Sequence, residues 1–204
     1  RLSRGRPGAG GGGEAVAMVA GRAAVECPVS LKEEEAVVIL RKTVIEAMFG
    51  ALQRAATQMP PDVRAALERA AAEETDPMAR QHLAVSLDNA DQAARGEGLV
   101  CADTGFPLFF IRAGSRTALE GGFGALASAA EEATARATAE CLLRPTMVDP
   151  LTRANPGNNV GPGMPRVDLR FVGDGADLEI IAAPKGGGSE IFGTFYRMLY
   201  PADG

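Results

Sequence analysis

At Gly96–Gly98 the apolar spacing of this chain passes from purely helical to a mixture of strand and helix, and that switch limits the folds open to it. Upstream, Val37, Leu40, Val44, Met48 and Ala51 recur at helical spacing, which predicts an amphipathic helix over Leu31–Gln58. Met59-Pro60-Pro61 ends it. Asp62 is placed to cap a second helix with Val63, Leu67 and Ala70 on its inner face. A third helix follows Asp76-Pro77 and carries Leu83, Leu87, Ala90 and Ala94. Downstream the apolar runs shorten to strand length, and Val100–Ile111 contains a strand. Gly114–Gly124 is a loop, and Ala125–Leu143 is an alanine-rich helix with Ala129, Ala133, Ala137 and Cys141 on one stripe. Val167–Val172 alternates apolar with polar, as a strand with one wet face does. Gly173-Asp174-Gly175 then predicts a hairpin with Leu178–Ala182 as its return strand. The pattern predicts an α/β (α+β) fold: a helical N-terminal part packed on a mixed sheet, with one long alanine-rich helix.

At 204 residues the chain is long enough for one sizeable domain with a tail. Its formal net charge of −5 argues against nucleic acid or an anionic membrane as the main partner. Three cysteines without regular spacing do not make a disulfide framework, so a reducing cytoplasm is the expected compartment. No apolar run reaches the length needed to span a bilayer. Arg1–Gly13 is rich in arginine and glycine without apolar period, so residues 1–30 read as a disordered leader or a translation artefact. An arginine-rich transit peptide is the alternative reading of that stretch. Residues 31–204 are expected to be the folded part. Pro201-Ala202-Asp203-Gly204 reads as a turn rather than a natural close, so a C-terminally truncated domain is expected.

The residues that could carry chemistry come after the switch. Cys101-Ala102-Asp103-Thr104-Gly105 puts a soft metal ligand, a carboxylate and a tight turn just before the apolar run Phe106–Ile111. Cys101 reads either as a metal ligand or as a small buried hydrophobe. Asp103 reads as a turn residue bonding its own backbone or as a site carboxylate. Arg144 reads as a cation complementing a helix C-terminus or as a planar fork for a carboxylate. Lys185-Gly186-Gly187-Gly188 reads as a flexible loop or as converging amides that meet an anion. It is not a P-loop, because its lysine precedes the glycines. Arg153 and Arg166 read as solvated charges, and His82 as an exposed or half-buried helix residue.

Four blocks in order carry a resemblance. They are Cys-x-Asp-Thr-Gly at 101–105, Leu143-Arg144-Pro145 with Val148-Asp149-Pro150-Leu151-Thr152-Arg153, the loop bearing Asn155, Asn158 and Asn159, and Lys185-Gly186-Gly187-Gly188-Ser189-Glu190. This series resembles the class I fumarases, and most closely the α subunit of the two-subunit iron–sulfur fumarate hydratases and L-tartrate dehydratases, over roughly Val37–Gly204. The resemblance implies a hydro-lyase acting on a small hydroxy dicarboxylate through the open iron of a [4Fe-4S] cluster. It implies that Cys101 ligates that cluster and that Asp103 is a catalytic or substrate-facing carboxylate. It implies a substrate site formed by Ala102, Asp103, Thr104, Arg144, Lys185, Gly186, Gly187 and Gly188. Arg144 would take the carboxylate remote from the iron. A β subunit or C-terminal domain is the implied partner, in a homo- or hetero-oligomer.

Two features depart from the family pattern. Glutamine is usual where this chain has Ala102, which removes a substrate-facing amide and bears on which hydroxy acid is taken. Cys27 and Cys141 match no family ligand position; Cys141, on the alanine stripe, is expected in the core. Fumarate/malate chemistry is the first expectation and L-tartrate dehydration the alternative. A non-catalytic binding or assembly domain without a cluster is the reading from another class.

Overall fold

The computed structural model describes residues 37–187. The predicted leader at 1–30, with Cys27, and the segment from Gly188 onward lie outside the described residues. The elements run β1 (Val38–Ile39), α1 (Arg41–Thr57), α2 (Pro61–Glu73), α3 (Pro77–Ala94), β2 (Phe106–Ala113), β3 (Ala118–Leu119), α4 (Ala125–Ala139), β4 (Arg166–Phe171) and β5 (Leu178–Lys185). The expected α/β class is observed. No helix among the described residues is long and apolar enough to cross a membrane.

The first helix begins later than its periodicity implied. Val37-Val38-Ile39 is a β-branched run, and such residues favour extended backbone. Val38 and Ile39 accordingly pair in parallel with Ala118 and Leu119. Helix α1 has no side-chain cap of its own. Glu120, just after β3, accepts from the Arg41 amide at 2.8 Å and supplies one. Val44, Ile45, Met48 and Leu52 then point into the core.

The second helix starts at Pro61, one residue before the expected cap, because proline's fixed φ suits the first helical position. Asp62 sits inside the first turn, where its charge favours the helix N-terminus. The inner face expected for α2 is not observed: it buries no residue, and Val63 is 44% exposed. It pairs with α3 instead, through an Arg64–Asp91 ion pair at 2.7 Å. On α3, Asp76 caps by accepting from the Ala79 amide. Ala90 and Ala93 are its buried residues, so the inward position is Ala93 rather than Ala94.

Strand β2 is the axis of the fold. Sheet order is β4-β2-β5, with β4 parallel and β5 antiparallel to β2. The hairpin expected of Gly173-Asp174-Gly175 is therefore not formed. Strands β4 and β5 are joined by that turn, but β2 lies between them. The turn is held over the end of β2 by bonds from the Gly114 amide to Asp177 O and from Ser115 to Gly173 O, at 3.0 and 3.2 Å. Pro107, Phe109, Ile111 and Ala113 alternate onto the face that α1 and α4 cover.

Ala129, Ala133 and Ala137 are buried on α4 as the stripe predicted, and small residues there let α1 and α4 approach closely. The stripe ends sooner than expected. Cys141 is exposed with φ +61°, in the left-handed position that closes a helix. Its amide bonds to Thr138 O at 3.0 Å and the next, Leu142, to Ala137 O at 2.9 Å. That closure turns the chain so that Leu143, 1% exposed, takes the core place expected of Cys141.

Candidate functional site

The register of β5 on β2 sets Lys185 opposite Phe106 and Pro184 opposite Pro107. The chain that leaves β5 therefore meets the turn that enters β2, although the two lie far apart in sequence. Between them is a cavity of about 230 Å³ lined by Cys101, Asp103, Thr104, Pro184 and Lys185, with Ala56 of α1 at its wall. The turn's upstream end is fixed by a bond from the Val100 amide to Ala56 O at 2.9 Å.

Within the turn, Cys101 is exposed, and its Sγ accepts from the Asp103 amide at 3.4 Å. Ala102 is exposed and does not line the cavity. The Asp103 carboxylate lies against buried Gly186, where an added Cβ would collide with it. Glycine at 186 is thus a requirement of close approach. Thr104 lines the cavity but is only 3% exposed. Its hydroxyl accepts from the Arg144 amide at 2.8 Å, and its carbonyl accepts from the Thr146 hydroxyl at 3.0 Å.

Arg144 lies beyond the end of α4, so it is not the cation of that helix terminus; Arg136 occupies the last turn. Its main chain is pinned beside the Cys101–Gly105 turn while its side chain is exposed. Among the described residues the guanidinium has no carboxylate partner, and Arg144 does not line the 230 Å³ cavity. Lys185 is half-buried at the cavity rim, Gly187 is half-buried, and Gly188 lies outside the described residues. His82, Arg153 and Arg166 are exposed, as the sequence predicted.

A residue without an assigned role turns out to be the connecting piece. Asn159 is fully buried, with φ +55°. Its Oδ1 accepts from the Thr146 and Met147 amides at 3.1 and 3.3 Å. Its Nδ2 donates to Thr138 Oγ1 at 3.1 Å and to Arg144 O at 2.9 Å. The one signal in the sequence was its residue type: asparagine tolerates left-handed backbone better than other non-glycine residues. Asn155 serves the same loop from outside, donating to Pro145 O at 2.9 Å.

The neighbouring Asp149 carboxylate accepts from the Thr152 amide and hydroxyl and from the Leu151 amide at 2.7 to 3.0 Å. Those donors, the Thr152 amide foremost, hold its carboxyl below the ordinary carboxylate range. A larger cavity of about 630 Å³ lies along this loop, lined by Phe106, Met147, Val148, Val160 and Met164 among others.

Cys101 offers an exposed soft donor beside a cavity, on a turn braced at both ends. Among the described residues no group of three or more His, Cys, Asp or Glu is placed to hold a metal.

Known proteins are similar to this chain over most of its length. The sequence profile of the family described as fumarate hydratase (Fumerase) matches residues 45–204. A putative L(+)-tartrate dehydratase subunit alpha of Methanocaldococcus jannaschii is 35% identical over 153 residues, covering 74% of this chain and 53% of the relative. The L(+)-tartrate dehydratase subunit alpha of Escherichia coli K12 is 33% identical over 162 residues, covering 79% and 52%. The chain thus spans about half the length of the curated relatives it matches. With the profile covering most of its length, the chain belongs to the fumarate hydratase (Fumerase) family.

Proposed function

We propose that this chain forms one wall of a hydro-lyase site, where a small hydroxy dicarboxylate loses or gains water. The observation that carries the reading is convergence. The four blocks meet at the start of β2, with Lys185 opposite Phe106, the Arg144 amide on Thr104 and Asn159 on the Arg144 carbonyl. Fumarate plus water gives malate, and L-tartrate minus water gives oxaloacetate. The family profile supports the first pair, and the names of the relatives support the second.

In this reading Cys101 holds one iron of a [4Fe-4S] cluster, and the remaining ligands come from outside residues 37–187. A cluster with an open iron supplies Lewis-acid polarisation of the carbon–oxygen bond. Arg144 grips the far carboxylate, because a guanidinium fork matches two oxygens at once. Asp103, at the cavity wall, orients the substrate or holds the proton at the adjacent carbon. Lys185 at the rim draws the dianion in, and Gly186 and Gly187 keep backbone close to it. Thr104 fixes the arginine segment. A β subunit or C-terminal domain closes the site, and a reducing cytoplasm suits its thiolate.

The test is an anaerobic assay of the complete, cluster-loaded protein with fumarate and with L-tartrate. Turnover of at least one is expected, with kcat/KM reduced on the order of a hundredfold or more, but still measurable, in Arg144→Ala. Turnover of neither would overturn the reading in favour of a binding module.

A further inference from the structure

We infer that Asn159 is a positioning residue for Arg144, so that its buried carboxamide decides where the guanidinium is presented. The inference rests on the proposal that Arg144 binds a substrate carboxylate. Its grounds are the bonds of Asn159 itself. Three of the four go to the main chain of Arg144, Thr146 and Met147, and the fourth goes to Thr138 on the last turn of α4. None of these four goes to the Asn155–Asn158 stretch beside it.

Residues 144–147 belong to no helix or strand, so regular structure does not place Arg144. Its peptide groups are held on one side by Thr104 Oγ1 at 2.8 Å and on the other by Asn159 Nδ2 at 2.9 Å. Fixing both fixes the direction in which the side chain leaves the backbone. Asn159 is suited to this by chemistry as well as place. The position needs left-handed backbone, two acceptor sites and two donors on one short side chain. Aspartate lacks the donors and glutamine is a methylene too long. Gly105 completes the joint, because a Cβ there would meet Arg144 O at 2.5 Å and Asn159 Oδ1 at 3.3 Å. The arginine segment thus rests on the Cys101–Gly105 turn with no slack between them.

The experiment is a double-mutant cycle in the complete, cluster-loaded protein, using Asn159→Asp, Arg144→Ala and the pair. Displacing a binding group by about an ångström costs on the order of a hundredfold. Asn159→Asp should therefore cut kcat/KM about a hundredfold, largely through KM, yet only a fewfold when Arg144 is already alanine. Hydrogen exchange of the Thr146 and Met147 amides should accelerate at least about tenfold in the single variant. Equal losses in both backgrounds, or unchanged exchange, would overturn the inference while leaving Arg144 in the site. Normal turnover by Arg144→Ala alone would remove the underlying reading and the inference with it. If a buried carboxylate prevents folding, Asn159→Gly, which accepts positive φ, carries the same cycle.

Discussion

The Arg144 amide donates a 2.8 Å hydrogen bond to the buried hydroxyl of Thr104, 40 residues earlier in the chain. Through it a turn carrying a thiol and a carboxylate is joined to a segment carrying an exposed guanidinium fork. Neither segment has regular secondary structure, and each is placed by the other. The consequences can be tested singly.

Gly105 sits at φ +119° with Arg144 O and the Thr146 hydroxyl in the space a Cβ would need. Gly105→Ala should therefore cost about 3 kcal/mol or more, from backbone strain plus the collision. Gly98, with nothing within 4 Å of an added Cβ, is the control. Its alanine variant should fall within about 0.5 kcal/mol of the parent in urea unfolding.

Arg144→Lys separates a fork from a charge. Loss of a bidentate contact should cost about 2–4 kcal/mol in kcat/KM with little change in melting. Activity and stability that both stay at parental levels would show that the far carboxylate is held elsewhere.

Iron and sulfide analysis of anaerobically purified protein should show cluster loss in Cys101→Ser. Cys141 is exposed at φ +61° and lines neither cavity, so Cys141→Gly should keep the cluster. It should also raise stability by up to about 1 kcal/mol, since glycine suits a helix-closing residue.

Asp149 carries the pH dependence of its loop. Its folded carboxyl is held below the ordinary value, so the charged form is favoured by folding. The stabilisation is present above an unfolded pKa of about 3.9 and is lost as pH falls through the lower folded value. The Leu151 and Thr152 amide resonances should move together in that acid window. Asp149→Asn should abolish the titration, because its carbonyl still accepts but carries no proton equilibrium.

Local chemistry alone makes much of this protein legible in its sequence. The prolines at 60, 61 and 77, the Asp76 cap and the alanine stripe place three helices to within a few residues, because those signals act over one or two turns. The four short blocks are legible as family marks, and Cys101, Asp103 and Lys185 do line one cavity. Tertiary structure decided what pairs with what. Val38 and Ile39 became a strand because Ala118 and Leu119 lay alongside, which helical periodicity in their own segment could not register. β2 entered between β4 and β5, and a turn signal states only that the chain reverses, not what occupies the gap. Helix α4 stopped before Cys141 because Leu143 filled the core better than a thiol would. Asn159 reads as one loop asparagine among three, and its burial against Thr138, Arg144, Thr146 and Met147 exists only once those residues are brought together. Residue type limits which bonds a side chain can make, and only the packed chain selects the partners that receive them.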